Sequence, residues 1–230
     1  MSRAGLWLDC RHRAPGAAAG THDGEAHAVE DVLPPVGRPA RPEYLSRGGV
    51  AITGPVHGPA AGRRLLRGLL AAHSATEVAR RYVVEYPAPV VDALVNAALD
   101  RIGGWEAKAM RDRAGVAGAH LLYDALRREL ASPQWTRALD RGLAAPGLLV
   151  STRPMAGPDR GAEYARQCLL PGAAVALAPG ALRSFADDDS APRTSTVDLA
   201  EARRVVGILD WFGISLDALH GPATPSTPAR

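Results

Sequence analysis

Short, continuous runs of apolar residues recur along the chain and predict the strands of a buried sheet. The runs cover residues 5–9, 49–53, 82–84, 147–152 and 173–178. Glycine or proline closes several of them, and an apolar run bounded in this way is typical of a strand that is covered on both faces. The pattern therefore predicts five strands.

Between these runs, apolar residues recur with the period of a helix. Residues 61–73 place leucines on one face and arginines on the other. Residues 91–102 form the clearest amphipathic pattern, with Asp92, Asn96 and Asp100 on the polar face. Both segments are predicted to be helices that pack on the sheet through their apolar faces.

Three further segments complete the predicted helices. Residues 105–130 carry a stripe of small residues, which predicts close approach to a neighbouring helix. Ser132 followed by Pro133 predicts a helix start, because serine caps the first turn and proline suits the first helical position. Residues 197–212 have helical spacing with acidic residues near their start, which suits the helix dipole.

Two segments lack either period. Residues 11–48 are rich in proline and glycine with scattered charge, and we expect a long, poorly ordered insertion or degraded region there. Residues 220–230 are expected to be a disordered tail. The remainder, within residues 1–219, is predicted to form a single α/β domain.

The alternation of strand and helix predicts a parallel α/β fold whose polar strand ends point at a site. Residue spacing alone does not separate a doubly wound sheet from a (β/α)8 barrel. A complete barrel typically takes about 250 residues, and the chain has 230 residues and only five predicted strands. An incomplete or degenerate (β/α) barrel of the TIM type is therefore the predicted fold class.

Composition narrows the classes of function. The chain is 47% hydrophobic and 22% charged, which is typical of a globular protein with one sizeable core. Its 27 basic residues include a single lysine, Lys108, and the net charge is only +3. No basic run carries interleaved aromatics, so a nucleic-acid partner is not expected, and no apolar stretch is long enough to predict a membrane span.

The cysteines and histidines predict neither a disulfide framework nor a metal site. Cys10 and Cys168 are too few and too far apart for a framework, which favours a reduced cytoplasm. His12, His22 and His27 have no cysteine or carboxylate at ligand spacing. The sequence also lacks the GxGxxG, Walker A, HExxH and GxSxG motifs, and no cofactor is predicted.

Several segments, taken in order, resemble the transaldolase family of class I aldolase-type barrels. Residues 5–9 (GLWLD) resemble the first barrel strand, and residues 50–55 (VAITGP) resemble the strand that reads roughly Leu-Met-Ile-Lys-Ile-Pro. Residues 111–123 (RDRAGVAGAHLLY) resemble the helix that reads Arg-Gly-Lys-Ala-Ala-Ile-Ala-Asn-Ala-x-Leu-Ala-Tyr. Weaker likenesses follow at residues 148–152, 164–187 and 199–217. The resemblance implies a TIM-type barrel and a relationship to carbohydrate metabolism and the pentose phosphate pathway.

The departures from the family pattern bear on activity. A transaldolase needs a lysine that forms a Schiff base with the substrate ketone, and Thr53 stands where the resemblance places that lysine. Glu85 stands where the family has an arginine near its phosphate site, and residues 173–179 lack the polar groups of the family's last strand. Lys108 lies at a helix start and is expected to be a solvated surface residue.

Six residues are the candidates for a site at the strand ends. The resemblance implies catalytic positions at Asp9 and Thr53, and His57 lies close to the position of the lost lysine. Ser151, Thr152 and Arg153 follow a predicted strand and are candidates for binding substrate, because strand carboxyl ends face the site in a barrel. For each of them, a turn, cap or solvated loop residue is the competing interpretation.

Together these observations predict a pseudoenzyme that resembles a transaldolase, lacks Schiff-base chemistry and acts as a binding or structural partner of another protein. The alternative is an active enzyme of altered chemistry on a phosphosugar-like or carbonyl small molecule in the same pocket.

Overall fold

The structure is a computed structural model that describes residues 5–9, 29–33, 50–53, 55–73, 81–152, 157–187 and 194–219. Its strands are β1 (Gly5–Asp9), β2 (Val29–Leu33), β3 (Val50–Ile52), β4 (Arg81–Pro87), β5 (Gly147–Ser151) and β6 (Ala174–Leu177). The helices that follow β3 and β4 are α1 (Pro59–His73), α2 (Ala88–Ile102), α3 (Gly104–Ala109), α4 (Ala114–Leu130) and α5 (Pro133–Asp140). The remaining helices are α6 (Pro158–Cys168), α7 (Pro179–Ala186) and α8 (Leu199–Trp211), and a short 3-10 turn spans Leu216–Ala218.

The six strands form one sheet in the order β2-β1-β6-β5-β4-β3, and every neighbouring pair is parallel. Among the described strands, the first, β1, pairs with the last, β6. From one edge of the sheet to the other, the strands therefore run β3, β4, β5, β6, β1, β2. The mixed α/β architecture confirms the predicted parallel α/β class. It is compatible with a transaldolase-like fold.

The described residues contain six strands, one more than the five predicted. Strand β2 lies within residues 11–48, where no strand was expected, and it pairs with β1 along its length. Its sequence, VEDVL, has two acidic residues at its centre, so it lacks the continuous apolar run by which the other strands were predicted. The rest of residues 11–48 and the tail 220–230 lie outside the described residues.

The segment 105–130 forms two helices instead of one. Asp112 breaks it with a φ of 60°, a conformation that is uncommon for a residue other than glycine. The Asn96 side chain holds this turn, because its Nδ2 donates to Asp112 Oδ1 at 2.9 Å and its Oδ1 accepts from Asp112 N at 3.0 Å. The predicted helix start at Ser132 is confirmed, since the Ser132 hydroxyl accepts from Trp135 N.

Helices α6 and α7 were not predicted. Their sequences, PDRGAEYARQC and PGALRSFA, carry few large apolar residues and open with proline, which suggests a turn when read alone. In the structure proline occupies the first turn of each helix, where its missing N–H costs nothing. Burial of Tyr164, Cys168 and Phe185 supplies the packing that stabilises them.

The two faces of the sheet carry separate apolar clusters. One face packs against the helices in a large core that includes Val84, Tyr86, Leu148, Val150 and Val175. The other, here called the inner face, holds a small cluster formed by Trp7, Val83, Leu149, Ala174 and Ala176, with Ile52 packed against it. Every member of the inner cluster lies on a strand, so the strands pack on one another there, as on the concave side of a curled sheet.

Candidate functional site

Three buried polar residues lie on the inner face towards the carboxyl ends of the strands: Asp9 and Ser151 are the last residues of β1 and β5, and Glu85 is two residues before the end of β4. Asp9, Glu85 and Ser151 each follow an inner-cluster residue by two positions, and alternation along a strand places them on the same face. Their exposed fractions are 3%, 9% and 2%. Polar side chains at this end of a parallel sheet are where ligand sites of α/β proteins lie, so this group is the candidate site.

Strand β6 separates two members of the candidate site. Ala176 pairs with Trp7 of β1 on one side and with Ser151 of β5 on the other. Neighbouring strands lie about 4.8 Å apart, so β1 and β5 are separated by about 10 Å. Asp9 and Ser151 therefore lie on opposite sides of a floor formed by small alanine side chains, and a ligand of several atoms would be needed to contact both.

Thr53 follows the last residue of β3 and is bound to the backbone of β4. Its N–H donates to Val83 O at 2.9 Å, and its Oγ1 accepts a hydrogen bond from Glu85 N at 3.4 Å. Because Ile52 packs on the inner cluster, alternation places the Thr53 side chain on the opposite face of the strand. The correspondence between Thr53 and a catalytic lysine remains a prediction.

His57 lies in the loop that connects β3 to α1 and is half-buried. The neighbouring Val56 is buried, and its N–H donates to Glu85 O at 3.0 Å. Both Thr53 and the His57 loop are therefore attached to the β4 segment that carries Glu85.

Ser151 and Thr152 take different roles although they are neighbours. Ser151 is on the face of the candidate site, whereas Thr152 is fully buried and its hydroxyl donates to Ala176 O at 2.9 Å. That bond, with the one from Thr152 N to Ala176 O at 3.2 Å, continues the pairing of β5 with β6 beyond the end of β5. Arg153, the third predicted substrate-binding residue, lies outside the described residues.

The single lysine of the chain is distant in the fold from the candidate site. Lys108 is exposed, as predicted, but it lies in the last turn of α3 and not at a helix start. Helix α3 follows the carboxyl-terminal end of α2 and contacts that helix, so the Lys108 amine belongs to the outer, helical layer.

One cluster of titratable side chains lies outside the predicted site. Asp92 was expected on the polar, solvated face of α2, but the structure buries it to 3% exposure between helices. Its Oδ1 accepts from Gly115 N at 2.8 Å and its Oδ2 accepts from the Tyr164 hydroxyl. Arg160 Nη2 lies 4.0 Å from Asp92 Oδ2 and 3.2 Å from Asp112 Oδ1.

Burial is the dominant influence on the acidity of this cluster. It raises the pKa of Asp92 above its ordinary value, and the hydrogen bonds from Tyr164 and Gly115 oppose that rise. Burial, then the charge of Asp92, likewise raises the pKa of Cys168 and Tyr164. The Tyr86 hydroxyl is also buried, and among the described residues it has no hydrogen-bond partner.

A cavity of about 570 Å³ lies between α4, α6 and α8, away from the inner face. His120 lines it, and both nitrogens of this buried ring are engaged: Nδ1 accepts from Asp198 N and Nε2 donates to Gln167 O, each at 3.0 Å. The Ser195 hydroxyl, also on the cavity wall, donates to Arg166 O. These polar groups hold the first residues of α8 against α4 and α6.

The residue ranges that the structure describes contain neither a cluster suited to a metal ion nor a helix suited to a membrane. No group of three or more histidine, cysteine, aspartate or glutamate side chains there is placed to hold a metal ion. No helix in those ranges has the length and apolar character needed to span a membrane.

Comparison with known proteins points to one family name. The chain is 30% identical over 131 residues to a protein named transaldolase from Frankia alni, a match that covers 55% of this chain and 35% of the relative. It is 29% identical over 130 residues to a transaldolase from Parafrankia sp. and 27% identical over 129 residues to transaldolase 1 from Streptomyces avermitilis. Each of these two matches also covers 55% of this chain, and the shares of the relatives are 35% and 34%.

The matched part is therefore about half of this chain and spans about a third of the length of these relatives. No family model matches the chain. The matches support a transaldolase-like relationship.

Proposed function

We propose that the chain is a transaldolase-like protein that does not form a Schiff base and that acts as a binding or structural partner of another protein. One observation carries this proposal: the single lysine is exposed on α3, in the helical layer, while the carboxyl ends of the strands carry Asp9, Glu85 and Ser151. The partial identity to proteins named transaldolase supplies the family context.

Cleaving a carbon–carbon bond next to a ketone requires the developing carbanion to be stabilised, and a protonated imine formed by a lysine amine provides that stabilisation. Carboxylates and hydroxyls, the groups found at this end of the sheet, cannot form an imine. An amine on the outer layer, as at Lys108, is separated from the inner face by the sheet and the helices.

We propose further that the sheet is an incomplete (β/α) barrel. Pairing of β1 with β6, the first with the last described strand, is the arrangement that brings the two ends of a barrel sequence together. The strand-only cluster on the inner face supports the same interpretation.

A second candidate function is favoured by the buried polar residues of the inner face. Asp9, Glu85 and Ser151 are buried on the inner face, towards the end of the sheet where ligands of α/β proteins bind. Under this proposal, the chain is an enzyme of altered chemistry that binds a phosphosugar-like or carbonyl small molecule through Asp9, His57, Ser151 and Arg153. The proposed compartment for either function is the cytoplasm.

Two assays on the full chain separate these proposals. We expect no turnover of fructose 6-phosphate in a transaldolase assay in which a transaldolase relative is active. In thermal unfolding, a midpoint raised by fructose 6-phosphate, and not raised in Asp9→Asn or Ser151→Ala, would favour the second candidate. Lys108→Arg serves as the matched control, because it keeps the surface charge and removes the amine. Turnover that disappears in Lys108→Arg would contradict the main proposal.

A further inference from the structure

The 3-10 turn at Leu216–Ala218 is bound to the first turn of a helix that lies far from it in sequence. The N–H groups of Ala60 and Ala61 both donate to Asp217 Oδ1, at 2.8 and 3.1 Å. Helix α1 has no acidic residue in its own first turn. Because the first N–H groups of a helix lack partners within the helix and attract negative charge, Asp217 acts as the N-terminal cap of α1.

The contact is close on both sides. A Cβ atom at Gly58 would lie 2.5 Å from Asp217 Oδ1 and 2.9 Å from Asp217 N, so only glycine leaves room for the turn. On the other side, Leu216 is buried at 3% exposure and packs near Gly118 of α4. The turn is therefore anchored in the core by Leu216 and holds α1 through Asp217.

Between these contacts lies the loop that carries His57. At one end, Thr53 and Val56 bond to the backbone of β4. At the other end, Gly58 and the first turn of α1 contact Asp217. The loop from the carboxyl end of β3 to α1 is thus attached at both ends, and the attachment at its α1 end comes from the last described residues of the chain.

We propose that residues 216–218 are a strap that fixes this loop at the edge of the candidate site. Releasing the strap opens residues 55–62 while the rest of the fold stays closed, because the most extensive contacts of α1 are with α4 and remain in place. Local opening of this kind is a recognised property of weakly held segments. The inference concerns the conformation of the loop and does not depend on whether the chain forms a Schiff base.

Hydrogen exchange followed by mass spectrometry on the full chain tests the strap. Asp217→Ala is expected to speed exchange in residues 55–62 about fivefold, the factor that corresponds to the ~1 kcal/mol typical of a lost helix cap. Asp217→Asn keeps an acceptor oxygen and is expected to stay within about twofold of the wild type. The control Asp198→Ala removes the local cap of α8, where Asp198 Oδ1 accepts from Glu201 N at 2.9 Å, and is expected to leave residues 55–62 unchanged.

Gly58→Ala disrupts the same contact by a change in the loop instead of in the strap. It provides a second test of the proposal if Asp217→Ala does not fold. Its added methyl group displaces the strap, so exchange should rise both in residues 55–62 and in residues 216–219. The proposal is overturned if neither variant changes residues 55–62 by more than about twofold, or if exchange rises equally in α5, since that would be global destabilisation.

Discussion

The close approach of α4 to the sheet gives the sharpest prediction about stability. A Cβ atom at Gly118 would lie 2.1 Å from the Tyr86 hydroxyl oxygen and 3.0 Å from the ring carbon that bears it. Tyr86 is completely buried on β4 and cannot swing into solvent. We therefore predict that Gly118→Ala destabilises the fold, although alanine is the better helix former.

The size of the effect follows from two opposing contributions. Replacing a glycine inside a helix by alanine gains about 1 kcal/mol of helix propensity. Overpacking a core costs about 1–3 kcal/mol, and we expect the upper end because the ring of Tyr86 is held by the sheet. The net loss in the free energy of unfolding is about 1–2 kcal/mol, or a midpoint lowered by about 2–8 °C for a chain of this size.

Gly68 provides the matched control. It also lies inside a helix, α1, but nothing is within 4 Å of the position that a Cβ would take. Gly68→Ala is expected to raise the free energy of unfolding by about 0.5–1 kcal/mol, since only the conformational contribution acts there.

A double-mutant cycle with Tyr86→Phe identifies the contact responsible. This change removes the hydroxyl that the methyl group would meet, and it also removes a buried polar group without a described partner. We expect Gly118→Ala to cost at least about 1 kcal/mol less in the Tyr86→Phe background, measured by urea unfolding. Additive effects, or a Gly118→Ala variant as stable as Gly68→Ala, would refute the reasoning.

Three further predictions concern other contacts. Burial raises the pKa of Asp92 in the folded state above its ordinary value of 3.8. The folded state therefore binds the carboxyl proton more tightly than the unfolded state does. As a result, the free energy of unfolding falls as the pH rises from 3.8 through the raised pKa. Asp92→Asn should therefore gain stability relative to the wild type as the pH rises above about 4 in urea titrations, and parallel pH profiles would contradict this. Tyr123→Phe should lower the free energy of unfolding by about 1 kcal/mol, because the Tyr123 hydroxyl donates to Pro171 O at 2.8 Å; an unchanged urea midpoint would count against that bond. Thr53→Lys should yield no borohydride-reduced sugar adduct by peptide mapping, because position 53 faces away from the inner cluster, whereas an adduct on that lysine would show that it reaches a working site.

The strands that could be predicted from the sequence are those that form a continuous run of apolar residues, because both of their faces are buried. Strands β1, β5 and β6 were predicted in this way and are confirmed. Strand β2 could not be found, because its central Glu30 and Asp31 interrupt the apolar pattern. Helix α6 was missed because its stability comes from contacts such as the Tyr164–Asp92 hydrogen bond, which joins residues 72 positions apart.

The candidate site was partly predictable for the same reason. Asp9 and Ser151 end predicted strands, so their position at the carboxyl ends of the sheet follows from the sequence. Glu85 joins them through the alternation that begins at Val83, a signal that was present but was read only as a departure from the family pattern. The burial of Asp92 was not predictable, because its helical position is polar and its partners come from α4 and α6.

Borohydride trapping tests the central claim most directly. The full chain, its Lys108→Arg variant and a transaldolase relative are each incubated with fructose 6-phosphate and borohydride, and their intact masses are measured. The absence of a lysine at the strand ends predicts no added mass on the chain under conditions that modify the relative. A sugar-derived mass that appears on the wild-type chain and is lost in Lys108→Arg would contradict the account.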